Sequence, residues 1–197
     1  MYIRLDRTRL GLEHRLRKHA VTTREIAIPA SVFESLHSEL ASESRPRRVV
    51  QPLHRAGYQA GLAAASLVNR ESGGDSLTQS QDGFWSSLSD FFSTRGWGTL
   101  SHSTPHRAIG ILHTTDWAEA EAKSDAPAQD RTCSFSMGYL SGLLSTLVGS
   151  TVAVLEVSCQ SRGDDACEFA FGSESAIQHL DRAIVNGAAM SHALEEL

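Results

Sequence analysis

Three cysteines and one glutamate are the residues of this chain whose types and spacing could do chemistry. They are Cys133, then Glu156-x-x-Cys159, then Cys167. All three cysteines of the 197-residue chain fall in this stretch. Three thiolates and a carboxylate fill the four positions of a tetrahedral zinc and leave none for water. Such a site is a staple between chain segments, with nothing catalytic about it. Spacing alone leaves a second reading equally open, that of three ordinary buried cysteines. The odd count weighs against disulfides, because any pairing strands one thiol.

The elements that must position these residues can be read from the apolar pattern. Residues 134–148 are apolar almost all round, with Tyr139, Leu140, Leu143, Leu144 and Leu147 beside a stripe of Ser134, Gly138, Ser141, Gly142 and Ser145. That pattern predicts a largely buried helix stopped by Gly149, with Cys133 at its N-terminus. A helix N-terminus favours a thiolate through its dipole and free amides. Residues 151–158 and 167–171 are rich in Val, Leu and Phe and flank the polar turn Arg162-Gly-Asp-Asp165, which predicts a β-hairpin. Glu156 and Cys159 are three apart, so a regular strand would turn them to opposite faces. A bulge or a strand end near Ser158 is needed to bring them together.

Upstream, a helix is expected around Phe33, Leu36 and Leu40 with Ser31 as cap, and a second after Arg45-Pro-Arg-Arg48. The second carries Gly57, Gly61 and Ala65, small residues that allow another element to approach closely. A polar loop over 71–82 leads to a third helix with an aromatic face of Phe84, Trp85, Leu88, Phe91 and Phe92, ended by Gly96-Trp97-Gly98. A short strand is expected from Gly98, another over 107–115, then a short helix or turn at 116–121 and a polar loop over 122–131. Ile177, Leu180, Ile184 and Ala188 predict a C-terminal helix capped by Ser173. The layout is α+β: one domain of helices packed on an antiparallel sheet.

Bulk properties exclude some classes. A chain with 41% hydrophobic and 21% charged residues is an ordinary globular protein. The net charge of -5 argues against direct nucleic-acid binding. Residues 1–24 hold a basic arm, with Arg4, Arg7, Arg9, Arg15, Arg17 and Lys18 against Asp6 and Glu13; it reads as a solvated segment or a contact for an acidic partner. The expectation of no membrane span and no signal peptide points to the cytoplasm, where reduced thiols favour metal ligation.

Other signals are weaker. Gly74-Asp75-Ser76-Leu77 spells a lipase-like nucleophile block, but it lies in a loop between helices and no Asp-x-x-His partner exists. His102 and His106 are four apart beside Pro105, which disfavours a helical metal pair. His113 reads first as a core or rim residue on its strand. Trp85, Trp97, Trp117 and Tyr139 are core residues or, together, the lining of an apolar cavity. No catalytic residue is assigned, and the chain reads as a binding module more than an enzyme.

The stretch Cys133-x5-Tyr139-x2-Gly142-x6-Gly149, then Glu156-x-x-Cys159, Gly163-Asp164 and Cys167-x-Phe169, resembles the 4-vinyl reductase-type (V4R) domain family. Looser similarity upstream at Gly57, Gly96-Trp97-Gly98 and Trp117-Ala-Glu extends the likeness over residues 25–172. The resemblance implies a fold related to subunits of the TRAPP tethering complex, with 173–197 as a C-terminal helix. It implies Cys133, Glu156, Cys159 and Cys167 as ligands of a structural zinc. By analogy with phenol- and xylene-responsive sensors, it implies a pocket between the buried helix and the sheet, near Trp97, Leu112, His113, Met137, Tyr139 and Leu143. Leu112 stands where those sensors carry a tryptophan, so a more apolar or larger ligand than phenol is expected. A homodimer and an effector protein partner are implied in the same way. Two other readings follow from other branches: an accessory or carrier protein of tetrapyrrole and bacteriochlorophyll synthesis, and a purely structural interaction module.

Overall fold

The computed structural model describes residues 24–43, 46–72, 80–120 and 133–197. Most of the basic arm, the Gly74–Leu77 block and the 122–131 loop fall outside these residues. Six helices and four strands follow in the order α1 (Ser31–Glu43), α2 (Pro46–Glu71), α3 (Gln81–Ser93), β1 (Thr99–His106), β2 (Ile109–Thr115), α4 (Ser134–Val148), β3 (Ala153–Ser158), β4 (Cys167–Gly172), α5 (Glu174–Val185) and α6 (Met190–Glu195). The strands form one antiparallel sheet in the order β1-β2-β4-β3. This is the α+β architecture that the pattern predicts.

Alternation along the strands gives the sheet two working faces. Leu112 of β2, Val154 of β3 and Phe169 of β4 point to the larger core, shared with α2, α3 and α4. Ile109, Ile111, Leu155 and Ala170 point the other way, under Ile177 and Leu180 of α5 and Ala193 of α6.

Helix α4 is buried along most of its length because α2 lies against it at backbone distance. A Cβ added at Gly138 would sit 1.9 Å from the His54 carbonyl oxygen, and one at Gly57 would sit 2.1 Å from that of Phe135. Gly61 and Gly142 meet Tyr139 and Tyr58 in the same way. The two glycine stripes thus interlock. Gly149 adopts the left-handed conformation (φ 69°) that ends α4, and Ser173 caps α5 by accepting from the Ala176 amide.

Three boundaries differ from the sequence expectation. β1 runs for eight residues and includes Pro105, which sits where the pairing with β2 slips between Ser103 and His106. Proline is tolerated there because β1 is an edge strand. Arg107 and Ala108 form the β1–β2 turn, so β2 starts at Ile109. The C-terminal helix stops at Val185, before Ala188, because Gly187 turns the chain with φ 87°, and the separate helix α6 follows.

Candidate functional site

The site forms where the N-terminus of α4 meets the β3–β4 hairpin. Cys133 is the N-cap of α4, and Cys159 and Cys167 flank the hairpin turn. The expected irregularity is present: the β3–β4 register shifts between Glu156 and Ser158. This slip returns Cys159 to the inner face that Glu156 already occupies. All three thiols are fully buried, with Cys133 Sγ 3.6 Å from Cys159 Sγ and Cys167 Sγ 3.5 Å from it. The three sulfurs lie within 4.8 Å of one another. A tetrahedral metal with bonds of about 2.3 Å to sulfur needs sulfurs about 3.8 Å apart. The observed spacing is close to that figure.

Glu156 joins the group from β3, buried at 2% exposure. Its Oε2 accepts from the Cys133 amide at 3.3 Å, and its carboxyl also bonds Cys159. The carboxylate therefore stands at the rim of the sulfur triangle and also caps the helix. Burial pushes its pKa up to about 8, reinforced by the charge of Cys159. Cys133 is raised well above the usual thiol range by its bonds with Cys159 and Cys167 and by burial. Cys159, which those two thiols donate to, is held well below it. For Cys167 the bond with Cys133 acts downward, but the bond with Cys159 and burial outweigh it and push the thiol up to about 12. Among the three thiols, the mutual bonds thus favour ionisation at Cys159 and oppose it at Cys133 and Cys167. A divalent thiophilic ion is the species whose charge would let all four groups ionise together.

The turn supports the sulfurs through its backbone. The Gln160 amide donates to Cys167 Sγ at 3.4 Å, and the Cys159 amide to Asp164 Oδ2 at 2.7 Å. Gly163 takes a left-handed φ of 96° to close this turn.

A second buried carboxylate at the same helix end went unassigned in the sequence. Glu119, 2% exposed, accepts from the amides of Phe135 (3.0 Å) and Ser136 (2.7 Å) and from the Ser136 hydroxyl (2.5 Å). Trp117, fully buried, donates its indole N–H to the same hydroxyl at 2.8 Å. His37 of α1 reaches Glu119 Oε1 at 3.2 Å and so ties the first helix to this point. The first-turn amides of α4 thus meet two carboxylates, Glu119 and Glu156. The Trp117-Ala-Glu119 similarity was the available signal; the acidic run around it otherwise reads as a solvated turn.

The residues expected to line a pocket divide between the two sheet faces. Trp97, Leu112, Met137, Tyr139 and Leu143 lie together in or against the larger core, beside the thiols. Leu112 and Leu143 are fully buried there, and Met137 Sδ accepts from the Glu156 amide at 3.2 Å. Trp97 packs between Phe33 of α1 (5.6 Å), Tyr139 (5.3 Å) and Trp117 (5.6 Å), with Phe135 stacked on it at 6.2 Å. Burial raises the Tyr139 hydroxyl above the usual phenol range. Trp97 and Phe135 remain half-buried, so this aromatic group reaches the surface under α1. His113 does not join them. It stands on the opposite face, bonded to Ser103 and Glu168. None of these residues lines the shallow groove of about 160 Å³ between α2 and α3, which is formed by Val68, Glu71, Ser72, Ser87, Asp90, Phe91 and Thr94.

The chain is 28% identical over 85 residues to an uncharacterized protein of Methanocaldococcus jannaschii, a match covering 43% of this chain. The chain spans only 44% of that curated relative's length. Among solved structures, the fold is similar to the phenol-responsive sensory domain of the transcription activator PoxR, solved with phenol (TM-score 0.64, 19% identity, 95% of this chain and 98% of that one). It is also similar to subunit 3 of a trafficking protein particle complex from Naegleria fowleri, covalently bound to palmitic acid (TM-score 0.59, 14% identity, 73% of this chain and 91% of that one). No described helix is long and apolar enough to cross a membrane. Residues 116–173, which run from the Trp117–Glu119 segment through α4 to the end of the thiol-bearing hairpin, match the V4R domain family.

Proposed function

We propose that the protein is a small-molecule-binding, sensor-like domain in which a closed zinc site fastens the β3–β4 hairpin to α4. The observation that carries the reading is the meeting of Cys133, Cys159 and Cys167 at the N-terminus of α4, where Glu156 accepts from the Cys133 amide. The donor set fits zinc: three soft thiolates at suitable spacing and a carboxylate within reach of them. When bound, the ion supplies structural cross-linking and charge balance. The chain's own part is to hold the ligands: the register slip presents Cys159, the helix end presents Cys133, and the turn amides support the sulfurs.

The ligand would be an apolar or aromatic molecule held near Trp97, Leu112, Met137, Tyr139 and Leu143. The fold shared with a phenol-binding sensory domain and with a palmitic-acid-bound subunit supports an apolar occupant. Leu112 and Leu143 are tightly packed, so binding there requires the side chains to part. The half-buried Trp97 and Phe135 under α1 offer the entrance. His113, on the far face, would contribute only indirectly. Binding would be reported to an effector protein through a homodimer. Cytoplasmic location suits three reduced thiols. The close packing of α2 on α4 also favours a structural interaction module as a second reading.

Native mass spectrometry with a panel of hydrophobic ligands tests the proposal. Wild-type protein should retain at least one ligand, and Trp97→Ala should weaken it at least tenfold. Failure of every ligand to bind leaves the interaction module as the better account.

A further inference from the structure

The face of the sheet turned away from the thiols carries a group that the ligand-binding reading does not use. Helices α5 and α6 cover this face at Ile109, Ile111, Leu155 and Ala170. The neighbouring part of the face is more open: Ser101 is exposed, and Ser103, His113 and Glu168 are half-buried. The register sets His113 directly across from Glu168 on β4, and Ser103 on β1 across from Ile111, two residues along β2 from His113. The side chains meet in a row. Ser103 Oγ lies 2.7 Å from His113 Nε2, and His113 Nδ1 lies 2.7 Å from Glu168 Oε1.

The direction of this relay follows from the groups themselves. An ionised carboxylate only accepts, so Glu168 selects the tautomer with the proton on Nδ1. Nε2 then carries the free lone pair, and the Ser103 hydroxyl donates to it. A hydroxyl bonded to a basic imidazole nitrogen, itself oriented by a carboxylate, is the arrangement that activates a serine nucleophile.

We propose that Ser103, His113 and Glu168 hydrolyse small, activated carboxylic esters, such as acyl esters of phenols, through an acyl-Ser103 intermediate. The substrate class follows from the setting. An open sheet face accepts a small molecule and cannot enclose a large one, and His113 is the proton donor that the group itself offers to the departing oxygen, so an ester with a good leaving group suits it.

In the first step Ser103 Oγ bonds to the carbonyl carbon as its proton passes to His113 Nε2. The bond to the leaving oxygen then breaks, and that oxygen keeps the electron pair and takes the proton from His113. Water, losing a proton to the same nitrogen, attacks the acyl-Ser103 ester. The carboxylic acid departs and the proton returns to Ser103 Oγ. Ser103 and His113 are the catalytic residues, and Glu168 is a positioning residue.

The test uses the full chain and 4-nitrophenyl acetate, with acetylated residues located by peptide mass mapping after rapid quenching. Wild type should carry acetyl on Ser103. Ser103→Ala and His113→Gln should each lose at least about 100-fold of the protein-dependent rate, the scale expected of general-base catalysis. Glu168→Gln should lower kcat while leaving KM unchanged. A fluorophosphonate probe gives a second reading, and should label Ser103 in wild type but not in His113→Gln. A rate that Ser103→Ala leaves unchanged, or acetyl and probe found only on other residues, would overturn the proposal. The group faces away from the thiols, so that outcome would leave the ligand-binding reading standing.

Discussion

Removal of the Glu119 carboxylate should be among the most costly single changes in this domain. Its oxygens accept from two main-chain amides and one hydroxyl at the N-terminus of α4, with the imidazole of His37 as a further contact. In Glu119→Ala the amides of Phe135 and Ser136 lose their carboxylate acceptor. A hydrogen bond to a charged group contributes about 1.5–3 kcal/mol. Such bonds do not add, but two or three buried donors left without an acceptor at about 1–3 kcal/mol each give a total of about 3–5 kcal/mol. We expect that range for Glu119→Ala. Glu119→Gln keeps one acceptor oxygen but turns an amide donor toward other donors, so about 1.5–3 kcal/mol is expected. Glu34→Ala, on the exposed side of α1, should stay within about 0.5 kcal/mol of wild type. Urea unfolding at fixed metal concentration measures all three. A Glu119→Ala protein within about 1 kcal/mol of wild type, with an unchanged slope, would refute the assigned capping role.

Two further outcomes follow from the same geometry. Gly138→Ala should destabilise by about 3 kcal/mol or more, because its Cβ would fall 1.9 Å from the His54 carbonyl oxygen. Gly149→Ala meets no atom within 4 Å and should lose only about 1–2 kcal/mol through its left-handed backbone; equal losses in thermal unfolding would contradict the interlocked helices. Metal binding should release protons, because Cys133, Cys167 and Glu156 are all held above their usual ranges and must ionise to bind. Affinity should accordingly fall as pH drops. Calorimetry in buffers of different ionisation enthalpy counts those protons, and release of fewer than one would contradict the assigned protonation states.

The sequence made the larger elements legible because their signals are local. The apolar run 134–148 and its glycine stop predict α4 at its observed bounds, and the Val- and Phe-rich segments around Arg162–Asp165 predict the hairpin. The need for an irregularity near Ser158 was readable from the odd spacing of Glu156 and Cys159. What remained hidden depends on pairing between distant segments. Glu119 meets Ser136, 17 residues along the chain, from inside an acidic run that looks like solvated surface. Ser103, His113 and Glu168 come together only once the strand order β1-β2-β4 and its register are known. The same register carries His113 to the other side of the sheet from Tyr139, which no single-strand reading of residues 107–115 reveals. Helix α6 was missed because six residues give too short a period to recognise.

The central claim is that the thiol cluster is a closed metal staple, and elemental analysis of the purified protein tests it most directly. The account predicts about one zinc per chain in wild type. Cys159→Ser should lose the metal, and with it thermal stability. Wild-type protein that is free of metal, reduced and as stable as the zinc-supplemented sample would contradict it.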